Sequence, residues 1–174
     1  AFSEKIAGTR FRKKFRIRSY ELNDSVIRLE CKSKYNEFIA KTGAILSREE
    51  YDKILQGDYH DLLFRKETVC RELACYQKTK LLKPAVVVEY LREAYIHPLG
   101  NVRITFDKRI SASVGSLDMF SEEYRTSEIL PEDILVLEVK YDDYIPMFIL
   151  QAIQTAMSDR CAISKYVMCR EKRK

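Results

Sequence analysis

The chain has 174 residues, 46% apolar and 11% aromatic, too much core-forming material for a disordered chain and enough for one domain with a real core. Charged residues reach 33%, yet 31 basic against 26 acidic residues leave a net charge of only +5. That balance excludes a histone-like or arginine-rich coat for nucleic acid and favours an anionic ligand held at a local cluster of cations.

Ala1 is not an initiator Met, and Ala1 to Gly8 reads as the end of an element already under way, so the expectation is a single domain over residues 1–174 that is a fragment of something longer. Arg12 to Tyr20 is strand-like, Glu21 to Asp24 is a turn, and Ser25 to Lys34 returns as the second arm of a hairpin. Phe38 to Leu46 is a third strand interrupted by Gly43. Ser47 followed three positions on by Glu50 is a capping box, which starts a helix that stops near Gly57. The stripe Leu62, Leu63, Val69, Leu73, Tyr76 predicts a longer helix from Tyr59 to Lys80, closed off by Pro84. Ala85 to Ile96 is β-branched and strand-like, His97 to Asn101 is a turn, and Val102 to Asp107 is the return strand. Asp118 to Leu130 looks irregular and Ile134 to Asp142 is a strong strand. Pro146 suits the first turn of a short helix ending at Ala156, and Ala162 to Arg170 is a final strand.

The second face of almost every strand is basic. Lys14, Arg16 and Arg18 alternate with Phe15 and Ile17; Arg28, Glu30, Lys32 and Lys34 alternate with Ile27, Leu29 and Cys31; Lys41 lies on the third strand. Tyr90 and Arg92 share a face, Arg103, Thr105 and Asp107 alternate with Val102, Ile104 and Phe106, Glu138 and Lys140 alternate with Leu137 and Val139, and Lys165 lies on the last predicted strand. A solvated face of an antiparallel sheet accounts for charges on any one strand. Recurrence of Arg and Lys in strand after strand points further, because closing such a sheet into a barrel brings these faces onto one lumen. Two unit charges ~8 Å apart repel by roughly 2 kcal/mol at an effective dielectric of 20, so several such pairs need a polyanion between them. Arg would fork onto phosphate oxygens and Lys would supply point charge. A carboxylate in that lumen repels phosphate unless a divalent metal bridges the two; Glu138 is the first candidate ligand and Glu30 the second, the alternative for Glu138 being an ion pair with a neighbouring Arg.

Other chemistries find little support. The five cysteines show no C-x-x-C spacing and no signal peptide precedes them, so reduced, buried thiols in a cytoplasmic protein are expected. The longest apolar run, Ile145 to Ile153, falls short of the roughly 20 residues that span a bilayer. His60 and His97 have no nucleophile at a useful spacing, and scattered glycines leave phosphate binding to side chains rather than backbone nests. Tyr20, Tyr35 and Tyr141 could stack on bases, but core or rim packing accounts for them, and no specific nucleic acid is expected.

Taken in order, "KFRIRSY", "LECKSK", "AVVVEYLREAYIHPLGNVRITFD", "LVLEVKYDDYIP" and "SKYVMCR" resemble the VTC domain, the polyphosphate polymerase domain of the vacuolar transporter chaperone family, within the CYTH-like triphosphate tunnel metalloenzymes. The resemblance covers most of the chain and is most specific over Val86 to Asp107. It implies an α+β fold, a closed eight-stranded antiparallel tunnel with helices packed outside, and transfer of the terminal phosphate of ATP to a polyphosphate chain with Mn²⁺ or Mg²⁺. It implies catalytic, phosphate-binding roles for Arg16, Arg18, Lys32, Arg92, Arg103 and Lys165, substrate contacts from Lys41 and Tyr90, and metal ligation by Glu138; the strand alternation adds Lys14 and Lys140 as candidate substrate contacts and Glu30 as the second candidate metal ligand. ATP and inorganic polyphosphate are the implied partners, with a separately encoded membrane protein as a further one. Family domains usually begin with an additional strand, helix and strand, which this chain is expected to lack. Ala162 stands where some members have a second lysine. Two other functions fit the same residues: a CYTH-type triphosphatase, in which water is the acceptor, and a non-catalytic polyanion-binding module.

Overall fold

The computed structural model describes residues 11–36, 38–156 and 162–172. The chain divides into two compact units, one of residues 1–85 with 117–123, the other of residues 86–116 with 124–174. The expectations for Ala1 to Gly8 and for Cys161 lie outside the described residues.

The first unit begins with three antiparallel strands in the order β1 (Phe11–Tyr20), β2 (Asn23–Tyr35) and β3 (Phe38–Leu46). Glu21 and Leu22 both adopt left-handed backbone, at φ 55 and 52, which gives the two-residue hairpin turn whose twist matches the strands it joins. Alternation then sorts the side chains. Ile27, Leu29 and Cys31 are buried and Ala44 and Leu46 join them, while the intervening residues face away. Helix α1 (Arg48–Gln56) carries the expected capping box: Ser47 Oγ accepts from Glu50 N at 3.1 Å, and Glu50 Oε2 accepts from Ser47 N at 2.8 Å. It ends at Gly57, whose φ of 87 suits only a residue without Cβ. Tyr51, Ile54, Leu62, Val69, Cys70, Leu73 and Ala74 pack beneath the sheet.

The helix expected from Tyr59 to Lys80 is instead a 3₁₀ turn (Asp61–Phe64), an extended break and helix α2 (Thr68–Lys80). The break is held by Arg65, in extended backbone, whose guanidinium donates to Glu50 and Glu67 at 2.8 Å each and to the Ile45 carbonyl at 3.0 Å. Residues 117–123 complete this unit. Tyr51 Oη donates to Asp118 Oδ1 at 3.3 Å and accepts from Met119 N at 3.1 Å, and the Tyr51 and Phe120 rings meet edge to face.

The second unit is built on β5 (Val102–Val114), which runs seven residues past the expected end at Asp107. Strand β4 (Val88–His97) pairs with one side of it; β6 (Arg125–Glu128) and β7 (Val136–Lys140) pair with the other, all antiparallel. The short β6 lies inside the stretch expected to be irregular. A bulge sets Tyr90 against Arg109 and Ile110, with Arg109 at φ 50. The β4–β5 connection depends on Gly100: a Cβ there would stand 2.2 Å from the Tyr144 carbonyl oxygen, and its own carbonyl accepts from Asp142 N at 3.1 Å. Helix α3 (Met147–Ala156) begins after Pro146, whose carbonyl accepts from Ile149 N and Leu150 N at 3.0 Å each.

The strand expected over Ala162 to Arg170 is corrected to helix α4 (Lys165–Lys172). Its four-residue spacing places Lys165 and Cys169 on one face, and Cys169 is fully buried with its thiol against the Ser111 carbonyl of β5 at 3.7 Å. The antiparallel α+β class is as expected. Among the described residues the strands form a three-stranded and a four-stranded sheet, and neither closes into a barrel.

Candidate anion-binding faces

In the first unit, register turns alternation into rows. Lys14 lies opposite Lys32 and Lys32 opposite Lys41; Arg12 lies opposite Lys34; Arg18 lies opposite Arg28; Arg16 lies opposite Glu30, which lies opposite Gly43. Arg12, Lys14, Arg16, Arg18, Arg28, Lys32, Lys34 and Lys41 thus share one face with Glu30. Like charges directly opposite one another on a sheet destabilise it. Glu30 relieves part of the face: its Oε2 receives Arg16 Nε at 3.1 Å, Arg16 Nη2 at 2.5 Å and Arg18 Nη2 at 3.4 Å. Arg18 also donates to the Tyr20 hydroxyl at 2.8 Å. Next to this group a concavity of 160 Å³ is lined by Arg12, Lys14, Lys32, Lys34 and Ile39.

The second unit has a differently balanced face. Arg92 Nε and Nη2 donate to the two oxygens of Asp107 at 2.5 and 2.7 Å, and Lys165 Nζ reaches Asp107 Oδ2 at 2.5 Å. Asp107 is completely buried, whereas the Arg92 and Lys165 side chains are 29% and 18% exposed. The Tyr90 ring receives both cations, the Arg92 guanidinium carbon 5.1 Å and the Lys165 ammonium 5.2 Å from its centroid. Glu138 lies 3.1 Å from Lys140 and 3.8 Å from Arg92, and Arg103 stands opposite Lys140 at the end of the same face.

Burial alone would raise the Asp107 carboxyl, but the hydrogen bonds from Arg92 and Lys165 outweigh it and hold the group below its ordinary 3.8. The same bond to Asp107 raises Arg92 above the usual guanidinium range.

The structure thus gathers Tyr90, Arg92, Lys165, Glu138 and Lys140 within one unit, with Arg103 at its rim. It gathers Lys14, Arg16, Arg18, Lys32, Lys41 and Glu30 within the other. Sequence reasoning passed over Asp107, although its signal was present: an acid alternating with Arg103 and Thr105 on an otherwise basic strand face. Tyr20, Tyr35 and Tyr141 are exposed rather than core residues, at 66%, 60% and 49%. The opposite face of the second sheet is largely apolar and carries a concavity of 490 Å³ lined by Tyr95, Ile104, Phe106 and Leu135 beside the Glu93–Lys108 ion pair.

No group of three or more His, Cys, Asp or Glu side chains gathers as a metal site among the described residues. A hard divalent cation can bind through one or two carboxylates when phosphate oxygens and water complete its shell. Asp107 is fully engaged, so Glu138, 41% exposed, is the carboxylate of its face that retains room for such an ion. In the first unit the contacts to Glu30 all fall on Oε2.

A family model described as the VTC domain matches residues 1–173. No curated protein and no solved structure matches the chain.

Proposed function

The chain belongs to the VTC domain family, and on that premise we propose that it transfers the terminal phosphate of ATP onto an inorganic polyphosphate chain. The observation that carries the proposal is the lysine row Lys14–Lys32–Lys41, in register across three strands beside Arg16 and Arg18. Such a row, with the guanidinium groups beside it, presents closely spaced positive charge that matches a ligand with many closely spaced negative charges.

Phosphoryl transfer requires positioning and neutralisation of charge more than covalent participation by the protein. Arg16 and Arg18 offer forked donors to phosphate oxygens, and the lysines offer point charge that tolerates a sliding chain. Arg92 keeps its Nη1 hydrogens for a phosphate while Nε and Nη2 remain on Asp107. Lys165, Arg103 and Lys140 add positive charge, and the Tyr90 hydroxyl adds a donor. Glu138 is the residue that would hold Mn²⁺ or Mg²⁺, with Glu30 the second candidate carboxylate; when bound, the ion neutralises charge on phosphate oxygens. The closed antiparallel tunnel of the family is part of the same proposal, as are a cytoplasmic setting and a separately encoded membrane-protein partner. Among the described residues no helix is long and apolar enough to cross a membrane.

The test is incubation of the protein with ATP and Mn²⁺ followed by separation of products by size. Long phosphate chains are expected. Orthophosphate alone would replace the reading with a triphosphatase. Metal-independent polyphosphate binding that survives Glu138→Ala, without turnover, would replace it with a binding module.

A further inference from the structure

We propose that Asp107 is a positioning residue that fixes Arg92 and Lys165 as a two-pronged clamp for a phosphate group. The inference rests on reading this face as an anion site. Its observations are geometric. Asp107 is completely buried in the middle of β5, yet it accepts three charged hydrogen bonds from two other elements, β4 and α4. Its register neighbours are Arg92 on one side and Val136 on the other, so an apolar residue would have filled the position without burying a charge. The carboxylate is buried, while parts of both cations remain exposed, 5.1 and 5.2 Å from the Tyr90 ring centroid.

A negative charge at this place lowers the positive potential of the site, so simple attraction of anions would be stronger without it. What it supplies is geometry. It engages two of the three guanidinium nitrogens of Arg92 and stops the Lys165 chain from sampling other rotamers, so that both cations meet a phosphate already in place.

That opposition gives a test by sign. Binding of tripolyphosphate without metal is measured by calorimetry on the full 174-residue chain and on Asp107→Asn, Arg92→Ala, Lys165→Ala and the Asp107→Asn/Lys165→Ala double variant. Asp107→Asn is expected to bind about tenfold more weakly despite the gain of positive charge, a loss of the size expected for one charged hydrogen bond. The double variant should lose less than the product of the two single losses, because the part of Asp107's effect that acts through Lys165 is already gone, yet should still bind more weakly than Lys165→Ala, because Arg92 is released as well. Unchanged or tighter binding by folded Asp107→Asn, while Arg92→Ala and Lys165→Ala weaken it, would overturn the inference and leave the site reading standing. Unchanged binding by Arg92→Ala and Lys165→Ala would instead remove this face from the site. If Asp107→Asn does not fold, the Arg92 Nε–H resonance of the wild-type protein decides. It should stay protected from exchange at saturating tripolyphosphate, and loss of protection refutes the clamp.

Discussion

Replacing Arg92 by Met keeps most of the side-chain volume and removes the charge from a buried pair. Two charged hydrogen bonds at 2.5 and 2.7 Å to a completely buried carboxylate are lost. Hydrogen bonds to charged groups contribute about 1.5–3 kcal/mol each, and breaking a buried pair costs about 3–5 kcal/mol. The Lys165 contact at 2.5 Å survives and the vacated Arg92 position is 29% exposed, so water reaches the carboxylate and the lower end of that range applies. A loss of about 3 kcal/mol, with an m-value of about 2 kcal/mol/M, lowers the urea midpoint by about 1.5 M. Hydrogen exchange resolved along the chain should place lost protection in β4 and β5. The pH dependence follows from the depressed Asp107 carboxyl: its contribution is present above the unfolded value near 3.8 and is lost as pH falls through the lower folded value. The difference between wild type and variant should therefore be full at neutral pH and shrink below pH 3.8. A loss under about 1 kcal/mol at neutral pH, the usual ceiling for an exposed ion pair, would mean that Arg92 and Asp107 are not the buried pair described above.

Lys41→Gln removes one charge from the exposed end of the lysine row. It should weaken tripolyphosphate binding by about 0.5–1 kcal/mol and flatten its dependence on ionic strength, by calorimetry at two salt concentrations, without lowering stability. Burial, joined by the Asp118 carboxylate, pushes the Tyr51 phenol up to about 12, although the N–H that Met119 donates to it pulls the other way. Its contribution to stability is therefore full below pH 10 and fades as pH rises through about 12, while Tyr51→Phe should cost about 1–2 kcal/mol in urea unfolding at neutral pH. Among the described cysteines Cys75 is exposed, Cys31 and Cys70 are buried, and burial pushes the Cys169 thiol up to about 11. Mass-spectrometric mapping after brief iodoacetamide treatment at pH 8 should find Cys75 alkylated roughly tenfold faster than the other three, in line with thiolate access.

Three strands and one helix of the first unit were readable because their signals are local. Alternation of Arg and Lys with Ile and Leu fixes which face of β2 is buried, and the Ser47–Glu50 pair fixes where α1 starts. The failures arose where distant groups decide local structure. The apolar stripe between Tyr59 and Lys80 is compatible with one helix, but Arg65 is drawn into extended backbone by Glu50, fifteen residues earlier. Val and Ile near the C-terminus suggested a strand, whereas α4 is settled by burial of Cys169 against Ser111 of β5. Strand β6 carries no apolar residue in Arg-Thr-Ser-Glu and is defined by pairing with Ser111–Val114. The basic rows were legible as alternation, but the Asp107 clamp was not, because Lys165 comes to it from a helix far along the chain.

The segment at 117–123 threads back into the first unit while the chain on either side of it belongs to the second. No single cut between residues 85 and 86 can therefore yield the first unit whole. A fragment ending there would leave Tyr51 without Asp118 and Met119 and strip Phe120 from its ring. On the ribosome, the same interleaving means that the earlier-made unit stays unsealed until part of its neighbour has been translated.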